Sequence, residues 1–335
     1  MSTRSIPKLA LASLLATTLT GCPSLLTKPD PDKSIEMPIA AWPGYEYMAL
    51  AKHKKLDEKY GINIKIKDYK DPQLIVREFA WGRLPIAQLT TVEVVDLCSR
   101  LPKRCPVITL ILNESRGGDQ IVAREPIGDI QSLKGKAVGV NPTTLGPYVL
   151  IRSLQKNNLE ISDVKIITLG MEDMPDALKD GRVDAIAAYP PFSEQAKLES
   201  RGKTVFDSSQ IPEEIFDVLA VAPDFFQQNQ PLIASVISSW AGAHQFARKH
   251  PNEAMRFIAK RQGVTPDEMR RINQGLVYFD LEKQEKMLSQ GGSLENNITN
   301  IRQGQIKMGL MSNTGSLPRT TNKAITAALA MRQAS

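Results

Sequence analysis

Short apolar strands alternate with amphipathic helices through the first two-thirds of this chain, and this alternation constrains its fold more than any other feature. The predicted strands are residues 37–42, 62–66, 86–89, 107–112, 136–140, 164–169 and 183–188. Helical spacing of apolar side chains separates most of these strands. Alternation of this kind is typical of βαβ units, so the sequence predicts an α/β protein with mostly parallel sheets.

The final third of the chain follows a different pattern. Val236, Ile237, Trp240 and Ala243 keep helical spacing, and helical segments continue from there towards the C terminus. A length of 335 residues is enough for two domains or one large one. The sequence therefore predicts two small α/β units and a helical tail, without an internal repeat.

The N-terminal segment has the layout of an export signal. Basic residues precede an apolar stretch at residues 9–19, which is too short to span a bilayer. Residues 19–22, Leu-Thr-Gly-Cys, resemble a bacterial lipobox, in which the cysteine becomes the lipidated first residue of the mature protein. We therefore expect a signal peptide at 1–21, a lipid anchor on Cys22, a proline-rich tether at 22–35 and a location in the periplasm or cell envelope. A chance cysteine after a weak signal is the alternative.

Charge and motif content exclude several classes of protein. The formal net charge is +6 and the basic residues are scattered, so we expect no nucleic-acid partner. The chain has no G-x-S-x-G elbow, no paired-histidine metal motif and no phosphate loop. We therefore expect a non-enzymatic protein without cofactor or metal.

The cysteines and histidines support the same view. Cys98 and Cys105 are close in sequence, and in an oxidising compartment they form either a local disulfide or two buried or idle thiols. None of the three histidines lies at metal-ligand spacing from another. His244 lies near the apolar face of a predicted helix, which favours a packed core residue over a catalytic base.

Ligands of open α/β sheets bind beyond the carboxyl ends of the strands, so the loops after the predicted strands are the candidate site. In the first loop, Trp42 and Tyr45 offer flat apolar walls, and Gly44 allows a close backbone approach. Glu46 in the same loop is suited to meet a cationic group. The alternative is that the aromatic residues are core and that Glu46 only favours the helix dipole.

The next two loops offer polar groups. Thr90 and Thr91 carry hydroxyls that suit an anion or a neutral polar ligand, although Thr90 is equally suited to be a plain helix N-cap. Ser115 and Asp119 belong to a glycine-containing segment, residues 113–119, that follows a buried strand. This segment is either a binding loop or the crossing between two domains.

Two later loops complete the candidate site. Thr143, Thr144 and Tyr148 lie in a loop whose hydroxyls and amides resemble an oxyanion cradle in composition. Tyr189 and Glu194 follow the strand that ends at residue 188, and both are placed to reach a cleft.

These loops, in this order, resemble the nitrate, sulfonate, taurine and thiamine-pyrimidine (NMT1/THI5-like) group of periplasmic solute-binding proteins. The resemblance covers residues 36–310, and its most recognisable phrases are Trp42-x-Gly44-Tyr45-Glu46, Leu133-Lys134-Gly135-Lys136-x-Val138-Gly139-Val140 and Ala177-Leu178-x-x-Gly181-x-Val183-Asp184-Ala185. Gln88 and Arg116 depart from the group's usual pattern.

The resemblance implies the two-lobed type II fold of periplasmic binding proteins, with a hinged interlobe cleft and a helical C-terminal tail. Lobe I is expected to comprise residues 36–121 and 222–335, and lobe II residues 122–221. It further implies a monomeric, membrane-anchored binding component of an ABC transporter, with a membrane permease and its ATPase as partners.

The expected ligand is a small polar solute, anionic or zwitterionic like a sulfonate, taurine or nitrate. A thiamine-type pyrimidine precursor is the alternative ligand, and a ligand-sensing subunit for a membrane receptor is the alternative role.

Overall fold

The structure is a computed structural model that describes residues 33–143 and 145–334. Cys22, the predicted signal peptide and Thr144 lie outside the described residues. The strands are β1 (Ser34–Ile39), β2 (Asn63–Asp68), β3 (Ile86–Thr90), β4 (Val107–Ser115), β5 (Gln120–Ala123), β6 (Ala137–Val140), β7 (Lys165–Thr168), β8 (Ala185–Ala188), β9 (Lys203–Asp207), β10 (Phe216–Val221), β11 (Leu276–Val277) and β12 (Arg319–Thr320).

Helices connect and cover these strands. They are α1 (Glu46–His53), α2 (Leu56–Lys59), α3 (Pro72–Ala80), α4 (Thr91–Arg100), α5 (Leu145–Lys156), α6 (Met174–Lys179), α7 (Phe192–Ser200), α8 (Pro223–Gln228), α9 (Gln230–Lys249), α10 (Pro251–Gln262), α11 (Pro266–Asn273), α12 (Leu281–Met287), α13 (Ser293–Lys307) and α14 (Lys323–Gln333). In the described part of the chain, no helix is both long and apolar enough to cross a bilayer.

One layer of the protein is built on a sheet with the order β11-β4-β10-β3, to which β12 adds on β4. β10 is inserted antiparallel between β3 and β4. β1 and β2 form a parallel ribbon beside β3, where the Gln88 side chain donates a hydrogen bond of 3.1 Å to the Pro38 carbonyl.

The other layer is a sheet with the order β7-β6-β8-β5-β9. β6 pairs in parallel with β7 and β8, whereas β5 pairs antiparallel with β8 and β9. The chain passes between the two sheets at residues 116–119, after β4, and returns at residues 208–215, before β10.

These pairings differ from the sequence prediction in two ways. The sheets are mixed rather than mostly parallel, because the strands next to the crossings, β5 and β10, run against their neighbours. Residues 216–221 pair within the first sheet, so the return crossing lies before β10 and not at the predicted boundary of 222. Sequence periodicity locates a strand but does not say which sheet receives it.

The C-terminal helices cover the first sheet and its ribbon. α9 packs against both α1 and α14 and buries Trp240. His244 stacks on the Trp240 ring at a centroid distance of 5.3 Å and meets the Tyr47 ring edge-on. Burial, helped by nearby Arg248, lowers the pKa of His244 to about 4, so this residue is a neutral packed core histidine at pH 7.

Cys98 and Cys105 are joined by a disulfide. The bridge ties the last turn of α4 to the segment that leads into β4, around a single turn of 3₁₀ helix at Pro102–Arg104. It therefore closes only a short surface loop and lies outside the space between the sheets.

Gln284 of α12 provides a test of how the C-terminal helices are fastened to the first sheet. Its Oε1 accepts a 2.8 Å hydrogen bond from the Ile111 backbone N–H, and its Nε2 donates to the Phe279 carbonyl at 3.0 Å. Gln284→Met keeps the size of this buried side chain but leaves both backbone groups unpaired. We expect the free energy of unfolding to fall by about 2–4 kcal/mol, measured by urea denaturation.

The matched control is Gln303→Met, at an exposed position of α13. We expect it to change the free energy of unfolding by less than about 0.5 kcal/mol. Equal losses from both variants would contradict the assigned role of Gln284.

Candidate functional site

A small cavity of about 40 Å³ lies between the two sheets, next to the first crossing. Its walls come from both sides: the loop after β1, the β3–α4 junction and β10 face the start of α5 and the loop after β8. The lining residues are Ala40, Trp42, Tyr45, Pro72, Ile75, Gln88, Leu89, Thr90, Glu93, Asp119, Thr143, Leu145, Tyr189 and Asp217. A ligand that occupies this cavity therefore contacts residues of both layers.

The loop after β1 supplies two aromatic walls. The Trp42 ring meets the Tyr189 ring edge-on, with centroids 5.4 Å apart, and this contact joins the two sides. Trp42 Nε1 donates a 3.3 Å hydrogen bond to Asn113 Oδ1. Gly44 lies so close to Asn113 that a Cβ atom on it would be 1.8 Å from Oδ1, so only glycine permits this approach.

Asp217 on β10 fixes the position of the loop after β1 through hydrogen bonds. The Tyr45 hydroxyl donates to its Oδ1 at 2.6 Å, and Asn113 Nδ2 donates to its Oδ2 at 2.6 Å. Burial raises the pKa of Asp217 well above its ordinary value, and the two hydrogen bonds only partly oppose that effect. The loop position therefore depends on a buried carboxyl group.

Glu93 belongs to the first turn of α4 and faces the same cavity. The Thr90 backbone N–H and hydroxyl both donate to Glu93 Oε2, each at 2.9 Å, and the Thr90 hydroxyl accepts from the Glu93 N–H. This is a capping box, so Thr90 is indeed a helix N-cap while it also lines the cavity. Burial raises the pKa of Glu93.

Asp119 lies at the end of the first crossing. Burial raises the pKa of its carboxyl to about 6, the Ser115 hydroxyl lowers it, and the charge of Glu93 raises it again. Ser115 Oγ also accepts from the Asp119 N–H at 3.1 Å and hydrogen-bonds Ser208 Oγ, on the return crossing, at 2.9 Å. Ser115 thus ties the two crossing segments together next to Asp119.

Several residues predicted for the site lie elsewhere. Glu46 is buried on the far side of its helix, where it pairs with Arg261 and accepts a 2.7 Å hydrogen bond from Gln262 Nε2. The Thr91 hydroxyl accepts from the Phe216 N–H at 3.3 Å, behind the cavity wall.

Two further predicted residues, Tyr148 and Glu194, also lie outside the cavity. Tyr148 donates to Glu214 at 2.8 Å and lines a separate cavity of about 750 Å³ against the C-terminal helices. Glu194 pairs with Lys197 at 2.6 Å on α7. Tyr148 and Glu194 lie one turn into their helices, and a loop-based prediction cannot tell which face of a helix meets the cleft.

Four polar residues at the cavity were not predicted for the site: Gln88, Glu93 and Asp217 line it, and Asn113 lies behind its aromatic wall. Glu93 had a signal, since it stands three residues after the N-cap Thr90 and completes a capping box. Asp217 also had one, as the only charged residue within the apolar run 216–221. Asn113 had none, because its role comes from contacts with residues distant in sequence.

Two α/β layers joined by paired crossings, with a cavity at the junction, are the fold of periplasmic solute-binding proteins. The chain belongs to the family described as "NMT1/THI5 like", whose model matches residues 43–254.

Comparison with known proteins agrees with this assignment. The chain is 24% identical over 273 residues to the "Putative aliphatic sulfonates-binding protein" of Escherichia coli strain K12, covering 78% of this chain and 80% of that one. The structure superposes on the periplasmic nitrate-binding protein NrtA of Synechocystis PCC 6803 with a TM-score of 0.68 and 12% identity, covering 90% and 89% of the two chains. It also superposes on the desulfurization enzyme DSZB with a TM-score of 0.65 and 15% identity, covering 89% and 99%.

The raised pKa of Asp119 generates a stability prediction. A proton on Asp119 stabilises the folded state fully below its ordinary pKa of 3.8, and this contribution is lost as the pH rises through about 6. Asp119→Asn removes the charge that is costly at neutral pH. We expect the variant to be more stable than the parent by about 1–3 kcal/mol at pH 7. This advantage should shrink as the pH falls towards 4, which urea denaturation across the pH range will measure.

The control is Asp129→Asn, at a fully exposed carboxyl whose pKa is lowered by the Ser132 hydroxyl and N–H. This variant should show no gain in stability at pH 7. If the parent protein is as stable as Asp119→Asn at pH 7, the surroundings of Asp119 compensate its buried charge and the prediction is wrong.

Proposed function

We propose that this protein is the solute-binding component of an ABC importer, held at a membrane of the cell envelope by a lipid on Cys22. Its two layers act as lobes that close over a small polar solute and present it to a membrane permease driven by an ATPase. The names of the relatives point to sulfonates or nitrate, and the family name allows a pyrimidine. The proposed site residues are Trp42, Tyr45, Thr90, Asp119, Thr143 and Tyr189 from the sequence, joined by Gln88, Glu93 and Asp217.

The observation that carries this proposal is the enclosed cavity whose walls belong to both layers. The Trp42 ring of one layer contacts the Tyr189 ring of the other at this cavity, so a ligand bound there affects both walls. Only two connections, at residues 116–119 and 208–215, join the layers in this region. Such a geometry converts ligand binding into a change in the relative position of the lobes, which a permease is able to sense.

A binding role is preferred to an enzymatic one, although DSZB shows that an enzyme is built on the same fold. The described cavity has no cysteine, serine, lysine or histidine in its lining. Its two tyrosines are both buried, with pKa values raised above the ordinary value by burial and nearby carboxylates. The described lining therefore offers no thiol, serine hydroxyl, amine or imidazole as a nucleophile.

The binding role predicts a specific tryptophan effect. We expect a panel of sulfonates, nitrate, aminopyrimidines and small amines to contain at least one compound that raises the unfolding midpoint, because binding stabilises the folded state by mass action. Trp42→Phe removes the hydrogen bond to Asn113 and part of the wall, so the affinity for that compound should fall about tenfold in calorimetry.

Trp81→Phe is the matched control, since Trp81 is 59% exposed and outside the cavity. It should leave the affinity unchanged. Chemical turnover of the bound compound by the purified protein would contradict the binding role and favour an enzyme.

The lipid anchor predicts a labelling result. Cells grown with radioactive palmitate should label the parent protein, because the Cys22 thiol and the new N terminus carry the lipid. Cys22→Ala should abolish the label. The double variant Cys98→Ala, Cys105→Ala removes the two other cysteines and should keep it. Label retained in Cys22→Ala would exclude this anchor.

A further inference from the structure

The lining of the cleft is rich in acidic side chains. Glu93, Asp119 and Asp217 are all buried at the same cavity, and each raises the pKa of the Tyr189 hydroxyl that faces them. No lysine, arginine or histidine of the described chain lines this cavity. Buried carboxylates are costly unless an opposite charge or hydrogen-bond donors accompany them.

Two basic side chains next to the cleft are engaged elsewhere. Arg77 and Arg100 line an adjoining outer cavity that shares Glu93 and Thr143 with the cleft. The Arg77 guanidinium lies over the Trp81 ring at 5.3 Å, and Arg100 pairs with Asp96. Neither arginine lines the inner cavity, so the protein does not itself neutralise the three acids.

Gln88 provides a second, independent indication of what the cleft binds. Its Nε2 donates to the Pro38 carbonyl, which can only accept, and this contact fixes the orientation of the amide. Its Oε1 is consequently the free end, and this buried atom has no hydrogen-bond partner among the residues that the structure describes. Gln88 lines the cavity, so its lining includes one buried acceptor that lacks a donor.

We propose that the cleft selects a small organic cation, a ligand that presents a protonated amine or amidine group to Glu93, Asp119 and Gln88. This inference rests on the proposed binding function and names the ligand class of the same site. Trp42 and Tyr189 provide aromatic faces beside the acids, as a cationic group prefers. Asp217 already receives hydrogen bonds from Tyr45 and Asn113 on its two oxygens, so it is not assigned a direct contact with the ligand.

The alternatives fit less well. A purely anionic sulfonate or nitrate would meet three carboxylates without a basic residue among the described lining. A bare metal ion is also disfavoured, because no group of three acidic, histidine or cysteine side chains in the described chain is arranged to hold one. A zwitterion remains compatible, since its ammonium group can meet the acids while its anion lies towards the start of α5.

The test uses three compounds with one two-carbon skeleton, namely ethylamine, taurine and ethanesulfonate, titrated calorimetrically into the lipid-free mature protein. Ethylamine carries only the ammonium group, taurine carries both the ammonium and the sulfonate, and ethanesulfonate carries only the sulfonate. We expect ethylamine and taurine to bind and ethanesulfonate to bind at least tenfold more weakly or not at all. Asp119→Asn and Glu93→Gln should each weaken the binding of ethylamine about tenfold, the usual worth of a charge-assisted hydrogen bond.

Asp129→Asn is the control for the acidic variants, because it makes the same substitution at an exposed carboxyl outside the cleft. Asp119→Asn is expected to fold, since it removes a destabilising buried charge, so a loss of binding in it is not a loss of structure. Binding of ethanesulfonate alone would support the solute-binding role and overturn the cation inference. Equal affinity for ethylamine in the parent and Asp119→Asn, or no binding of ethylamine and taurine, would also overturn it.

Discussion

The binding region depends on the hydrogen bonds that the buried carboxyl group of Asp217 accepts. It lies on β10, the strand inserted between β3 and β4, and it receives 2.6 Å hydrogen bonds from Tyr45 and Asn113. Asn113 in turn accepts from Trp42. A single acid thereby joins the central strands of the first sheet to the loop that forms the aromatic wall of the cleft.

The same region is built at a cost in stability. Glu93, Asp119 and Asp217 are buried together, and burial raises the pKa of each. A structure selected for stability alone would place apolar side chains there, because isolated buried charges oppose folding. Binding sites commonly retain such groups, since a ligand that neutralises them gains affinity from the strain it relieves. The burial of these acids is therefore consistent with the proposed ligand, which would neutralise them.

Local patterns predicted much of this architecture. All seven predicted strands are present, and the loops after β1, β3, β6 and β8 do meet at the cavity, as the rule for open α/β sheets requires. Of the residues predicted for the site, Trp42, Tyr45, Thr90, Asp119, Thr143 and Tyr189 line this cavity. Strands β5, β9 and β10 were not predicted, and Glu46, Thr91, Tyr148 and Glu194 face away from the cavity, because the side of an element that a residue occupies depends on packing.

The sequence by itself determined the α/β class and the loops that meet at the cavity. It also indicated a close backbone approach at Gly44 and a cysteine suited to lipidation, since each of these follows from local spacing or residue type. Only the tertiary structure decided that the sheets are mixed, that Glu46 pairs with Arg261, and that the acids of α4, the crossing and β10 share one cavity. Glu93 and Asp217 are more than a hundred residues apart, and their common environment exists only once β10 lies between β3 and β4. The charge of the cleft depends on acidic residues that are distant in sequence and become neighbours only when the chain folds.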